Sequence, residues 1–152
     1  MSLHGVAFNY LCVPVGTGGT IAGLIQATGG RAEIIGFPAI KGEGSLASDI
    51  AQLAGLTAVQ DCMWHLETSY HHGGYAKQSP ALVAFMDQFE STHGFPLDPV
   101  YTGKMMFGIF DLLKRGYFPR GSTLLALHTG GLQGAGNSHQ QRFDPLTSPR
   151  ET

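Results

Sequence analysis

Two glycine-rich stretches each follow an apolar run that reads as a buried strand. Gly16-Thr17-Gly18-Gly19-Thr20 follows the run from Val6 to Val15, and Thr129-Gly130-Gly131 follows the run from Ser122 to Leu127. The first leads straight into Ile21 to Ala27, which reads as a helix closed by Gly29-Gly30. A strand-to-helix turn of this composition exposes several backbone N–H groups at a helix N-terminus, where those donors and the helix dipole suit a phosphate. Thr17 and Thr20 can add hydroxyl donors. The alternative is a tight turn that binds nothing. In open parallel sheets ligands bind at the carboxyl ends of strands, so both loops are expected on one edge of the sheet.

The kind of phosphate compound is narrowed by what the loop lacks. A triphosphate-binding loop needs Lys-Ser or Lys-Thr after its last glycine, and Ile21-Ala22 stands here. A dinucleotide fingerprint needs glycine or alanine three places after Gly18, where Ile21 lies, and an acid near the end of the second strand, whereas Glu33 is at its start. A monophosphate cofactor is left.

The elements that must position these loops alternate along the chain. After the first strand and helix, Glu33 to Ile40 reads as a strand rich in β-branched residues. A helix capped by Ser45 or Ser48 follows, with Leu46, Ile50, Leu53 and Ala54 as its buried stripe, and it ends before Gly55. Ala58 to Leu66 holds a shorter strand, and Glu67 to Gln78 is a loop. Ser79-Pro80 opens a helix with Leu82, Phe85, Met86 and Phe89 on one face and Gly94 at its end. Another helix is predicted from about Thr102 to Arg115, with Ile109, Phe110 and Leu113 as its face. This order predicts an α/β fold, a parallel sheet with helices on both faces. From Gln133 the chain turns polar and aperiodic, so residues 133–152 are expected to form a loosely ordered tail.

Composition bounds the function classes. Charged residues are only 13% of the 152, against roughly a quarter in ordinary domains, which suggests a surface that meets another domain or subunit. A net charge of −2 argues against a nucleic-acid partner. The first apolar run is too short to span a bilayer, so no membrane partner and a cytoplasmic location are expected. Cys12 and Cys62 lie in apolar stretches and read as reduced, buried thiols. His65, His71 and His72 lack the spacing of two ligands on a helix face and are expected as solvated loop histidines, with no metal site. His128 reads as a buried structural histidine, Met105-Met106-Phe107 as core or a subunit contact, and Asp98 as serving the turn before Pro99.

Four segments, taken together, carry a family resemblance. Val15 to Leu24 resembles the phosphate-binding loop of pyridoxal-phosphate enzymes of the tryptophan-synthase-like fold. Leu97-Asp98-Pro99-Val100-Tyr101-Thr102-Gly103-Lys104, Leu127-His128-Thr129-Gly130-Gly131 and Gly73-Gly74-Tyr75-Ala76-Lys77 resemble segments of the 1-aminocyclopropane-1-carboxylate deaminase and D-cysteine desulfhydrase family, in family order. The resemblance implies that residues 5–132 form part of the large, cofactor-binding domain. Gly16, Thr17, Gly18, Gly19 and Thr20 would hold the cofactor phosphate. Thr129 would face the pyridine nitrogen, with Gly130 beside it, and Thr102 is counted with the cofactor-binding residues. Tyr75 and Tyr101 would position the substrate, a small amino acid, or move protons. A hydroxyl near the ring nitrogen leaves it neutral, a weaker electron sink that suffices for β-elimination.

Two departures from the family shape the expectation. Ring-opening deaminases of the family carry glutamate directly after the tyrosine of the Pro-Val-Tyr segment, and Thr102 stands there, which favours desulfhydrase-like elimination with ammonia release. The family's Schiff-base lysine belongs to an N-terminal half, and none of Lys41, Lys77, Lys104 and Lys114 matches its position. The chain is therefore expected to be the C-terminal half of a longer enzyme, inactive alone and completed by the missing half or another subunit. An open sheet edge predicts a homo-oligomer. A non-enzymatic phosphate- or cofactor-binding module and a nucleotide-binding α/β domain are the alternatives.

Overall fold

The computed structural model describes residues 2–3, 6–42, 44–56 and 63–128. Its centre is a four-stranded sheet of β3 (Tyr10–Val15), β4 (Glu33–Pro38), β5 (Trp64–Leu66) and β6 (Leu124–Ala126), in the order β5-β4-β3-β6. Every pairing in it is parallel, as the strand–helix alternation predicts. The expected first strand is divided. Val6–Ala7 (β2) pairs antiparallel with Ser2–Leu3 (β1), and only Tyr10–Val15 enters the main sheet. Asn9 makes the break: its backbone and side chain bond Thr123, and its carbonyl accepts from Glu33 N–H.

Helices cover both faces of the sheet. β3 sends Leu11, Val13 and Val15 into a core shared with α1 (Gly19–Thr28) and α2 (Leu46–Leu53). Cys12, between them, faces the other way, into a core with Ile35, Phe37 and Met105, Ile109 and Leu112 of α4 (Thr102–Lys114). This period of two is what a strand buried on both faces requires. α3 (Pro80–His93) packs outside α4 through aromatic edges, with Phe85 5.5 Å from Phe107 and 5.4 Å from Phe110 between ring centroids. Its cap is as expected: Ser79 Oγ accepts from Leu82 N–H at 3.1 Å and Gly94 ends the helix at φ 82°. Among the described residues no helix is long and apolar enough to cross a membrane.

Two predicted stripes are corrected. Leu53 is 58% exposed, and Ala51 with Ala54 fills its place beside Ile50. Leu113 is 49% exposed, and α4 buries Met105, Ile109 and Leu112 instead. In both cases the exposed apolar residue sits next to the buried stripe in sequence, and hydropathy alone does not separate the two. Ser45 precedes α2, but its side chain makes no capping bond. His128 is exposed rather than buried, because β6 is an edge strand with one sheet neighbour. Cys12 is buried as expected, and burial, followed by the nearby Glu33 charge, pushes its thiol up to about 12. Cys62 and the 133–152 tail lie outside the described residues.

α4 approaches β4 closely because Gly108 has no side chain. A Cβ there would lie 2.6 Å from Phe37 Cε1 and 3.0 Å from Tyr70 Cδ2. Gly108→Ala should therefore cost about 1–3 kcal/mol through overpacking, read as a lower urea midpoint; an unchanged midpoint would refute the close contact. Tyr70 closes this core with a 2.7 Å bond from its hydroxyl to Asp111. Burial, then that bond and the Asp111 charge, raise its phenol from 10.0 to about 12. The unfolded chain loses this proton first, so the stabilisation is intact below pH 10, falls above it and is gone past about 12. Urea unfolding across that range should show the decline, and Tyr70→Phe should make it shallower, leaving the part that Cys12 contributes.

Candidate functional site

The turn leaving β3 is a bend over Gly16, Thr17 and Gly18, and α1 begins at Gly19. Gly18 has φ 96° and ψ −1°, a left-handed conformation, and a Cβ on it would lie 2.7 Å from Ile50 Cγ1. Only glycine satisfies both demands. Its carbonyl accepts from Ala22 N–H at 3.0 Å, the first bond of α1. The N–H groups of the first turn have no intrahelical acceptor. No acidic residue lies in that turn and no side chain caps it. Thr17, Gly19 and Thr20 are exposed, and a Cβ on Gly19 would meet nothing within 4 Å. The helix end is thus open, positively polarised and free of a competing carboxylate.

A second element reaches the same place. Asp98 is 0% exposed. Its carboxylate accepts from Val100 N–H at 3.1 Å, Tyr101 N–H at 2.7 Å and Thr102 N–H at 2.9 Å. Its own carbonyl accepts from Gly103 N–H at 2.8 Å. The role read from sequence, a turn residue, is therefore too small, because Asp98 organises the whole start of α4. The Tyr101 ring so placed covers Gly16: a Cβ there would lie 3.3 Å from both Tyr101 Cε1 and the hydroxyl. Thr102 is 2% exposed, and its hydroxyl has no partner among the described residues.

The loop between β5 and α3 brings Tyr75. Its ring stands T-shaped to Tyr101 with centroids 6.4 Å apart, and it is 60% exposed. Burial, then hydrogen bonding to Tyr75, raise the Tyr101 phenol above its ordinary value. His71 and His72, expected as solvated, instead hold this loop. His71 Nδ1 accepts from Gly73 N–H at 3.0 Å, and His72 shares a 2.7 Å bond with Ser79 Oγ while standing on the Phe107 edge. Burial, then Lys104, lower the His72 pKa. His65 also has partners that its spacing did not announce, lying 3.3 Å from Glu33 and 3.1 Å from Glu67.

Tyr101 thus lies against both Gly16 and Tyr75, Thr102 adjoins Tyr101, and Thr17 to Thr20 lie beside Gly16. β3 and β6 are parallel, so the chain leaves β6 toward this same edge. Thr129 and Gly130 lie outside the described residues. Sequence reading sets Lys104 aside as a Schiff-base lysine and gives it no other role. It is 1% exposed, and Nζ donates to Gly74 O at 2.8 Å and Ala39 O at 3.3 Å. The signal was present: Lys104, Gly108 and Leu112 fall at i, i+4 and i+8, on one buried face.

Comparison with known proteins gives the family and the fold. The family model described as pyridoxal-phosphate dependent enzyme matches residues 2–130. A 1-aminocyclopropane-1-carboxylate deaminase of Bradyrhizobium sp. (strain BTAi1 / ATCC BAA-1182) is 35% identical over 138 residues, covering 84% of this chain and 41% of that protein. A putative 1-aminocyclopropane-1-carboxylate deaminase of Pyrococcus furiosus is 32% identical over 138 residues, covering 86% and 41%. The crystal structure of an ACC deaminase homologue superposes with a TM-score of 0.67 at 28% identity, covering 89% of this chain and 43% of that one. The chain spans about two fifths of the length of the curated relatives it matches.

Replacing Asp98 by alanine leaves three backbone donors without their acceptor. The expected loss is at least about 2 kcal/mol, read by urea denaturation. Asp98→Asn, which keeps one oxygen, should lose less. Equal, negligible losses would show that the carboxylate does not organise the start of α4.

Proposed function

This chain belongs to the pyridoxal-phosphate-dependent enzyme family, and on that premise we propose that it forms the phosphate-cradle and tyrosine part of a deaminase or desulfhydrase acting on a small amino acid. The observation that carries the proposal is the packing of Tyr101 on Gly16, with Tyr75 against it, at an open helix N-terminus. The residues fit the cofactor. Gly16 to Thr20 would take its phosphate on backbone N–H groups and the Thr17 and Thr20 hydroxyls. The buried, unpartnered Thr102 hydroxyl costs about 1–3 kcal/mol as it stands, and a bound polar atom would recover it. Thr129 and Gly130 complete the set by family resemblance. When bound, pyridoxal phosphate supplies an electron sink for the pair left by bond cleavage at the substrate.

The chain's own groups divide the remaining work. Tyr101, with its phenol raised by burial and by Tyr75, keeps its proton at neutral pH and offers it as a hydrogen bond that positions the substrate. Tyr75 is exposed and links Tyr101 to whatever enters from the open side. Thr102 adds no charge beside them, which favours β-elimination from D-cysteine, releasing sulfide, a keto acid and ammonia, over opening of a cyclopropane ring. The amine that family chemistry requires comes from outside these 152 residues: Lys41, Lys77 and Lys114 are exposed, and Lys104 is buried against carbonyls.

Two measurements test this. The 152-residue protein titrated with pyridoxal phosphate should bind reversibly and leave no borohydride-stable adduct by intact mass; an adduct at one specific lysine would give the chain its own amine. The longer protein that carries this chain should release sulfide from D-cysteine in preference to opening 1-aminocyclopropane-1-carboxylate, and Tyr101→Phe should lower that rate by roughly 10²-fold or more. Cofactor binding with turnover of neither compound would favour a non-enzymatic module.

A further inference from the structure

The turn that carries Tyr75 is held in an unfavourable conformation. Lys77 N–H bonds to Gly74 O at 3.1 Å, which makes Tyr75 and Ala76 the two central residues of a four-residue turn. Ala76 has φ 57°, and His72, Gly73 and Gly74 have φ 54°, 104° and 127°. The second central position of a turn with φ above zero is ordinarily glycine or asparagine. An alanine there is strained and persists only where its surroundings impose it.

Lys104 is the imposing group. It is the one buried lysine of the chain. Its Nζ binds the same Gly74 carbonyl that closes the turn, at 2.8 Å, and also Ala39 O at 3.3 Å. Ala39 leaves β4 beside the phosphate loop, since its N–H bonds to Val15 O at 3.1 Å. One ammonium therefore joins three parts of the site: the sheet edge at Val15, the Tyr75 turn, and the first turn of α4 that carries Tyr101. A lysine that only filled space would be replaced at less cost by methionine or leucine, because burying the charge is expensive. Burial lowers the Lys104 pKa, and Asp98, at the start of the same helix, works against that by favouring the charged form.

Resting on the functional reading above, we propose that Lys104 is a positioning residue whose buried ammonium grips the Gly74 carbonyl and so presents Tyr75 to Tyr101. It acts through the backbone of the turn and touches neither tyrosine hydroxyl.

The test uses the longer protein that carries this chain, loaded with pyridoxal phosphate. Lys104→Met keeps the length and apolar stem of the side chain and removes the charge. It should lower kcat on D-cysteine by about tenfold or more and leave cofactor affinity within about twofold. In a Tyr75→Phe background the same substitution should cost almost nothing further, because both changes remove one effect. Adding Ala76→Gly, which relieves the strained φ, should restore part of the rate. Without substrate, the Lys77 amide should exchange its hydrogen faster in Lys104→Met than in the parent protein. An equal loss of kcat with and without Tyr75, or unchanged exchange at Lys77, would overturn the proposal. If Lys104→Met does not fold, the parent protein decides: Lys77 should exchange as slowly as the sheet amides, and rapid exchange there would overturn the clamp. Because exchange needs no turnover, a protein active on neither D-cysteine nor 1-aminocyclopropane-1-carboxylate would count against the functional reading and leave this test intact.

Discussion

The Asp98 carboxylate, buried completely, accepts hydrogen bonds from three successive backbone N–H groups, those of Val100, Tyr101 and Thr102. Those donors would otherwise be orphans at the start of α4. Once they are satisfied, the direction of the helix is set, and so are the groups it carries: Tyr101 over Gly16, the Thr102 hydroxyl below the surface, and Lys104 one turn in. A carboxylate removed from water must be fully hydrogen-bonded to be tolerated, and here the backbone supplies the bonds. The same geometry makes Gly103 necessary, because a Cβ there would lie 2.7 Å from the Asp98 carbonyl and from Met86 Sδ.

Around this anchor the site is assembled from segments far apart in the chain. The phosphate loop follows β3, the strained tyrosine turn follows β5, and Tyr101 opens α4. They meet because parallel strands release their connections at a common edge. Their electrostatics are coherent. The end of α1 carries no acid, Asp98 and Lys104 are the buried charged side chains among the described residues, and Lys41 and Lys77 are exposed beside the Tyr75 turn.

The family, its cofactor and the α/β architecture were all legible in the residues. The glycine loop states its own turn and helix, and strand–helix alternation implies parallel strands with both faces covered. Helix ends were legible wherever a local rule governs them, as at Ser79-Pro80 and Gly94. Stripe assignments failed at Leu53 and Leu113, because one apolar residue beside another gives no sign of which faces the sheet. The first strand was over-extended for a related reason. Its apolar run continues past Asn9, and only the bonds of Asn9 to Thr123 and Glu33 show where the chain turns.

The sequence by itself determined the family and the α/β fold, and it marked Gly16 to Thr20, Tyr75 and Tyr101 as the residues proposed for the site. Only the tertiary structure decided how these groups are held. The partners of Asp98 are its near neighbours, yet its complete burial is a property of the folded chain. The carbonyls that bind Lys104 belong to residues 30 and 65 positions away. A backbone carbonyl has the same chemistry in every residue, so no side-chain pattern marks the ones a buried ammonium will find. His72 of the tyrosine turn shows the same limit, since its partners Phe107 and Ser79 are brought to it by the fold.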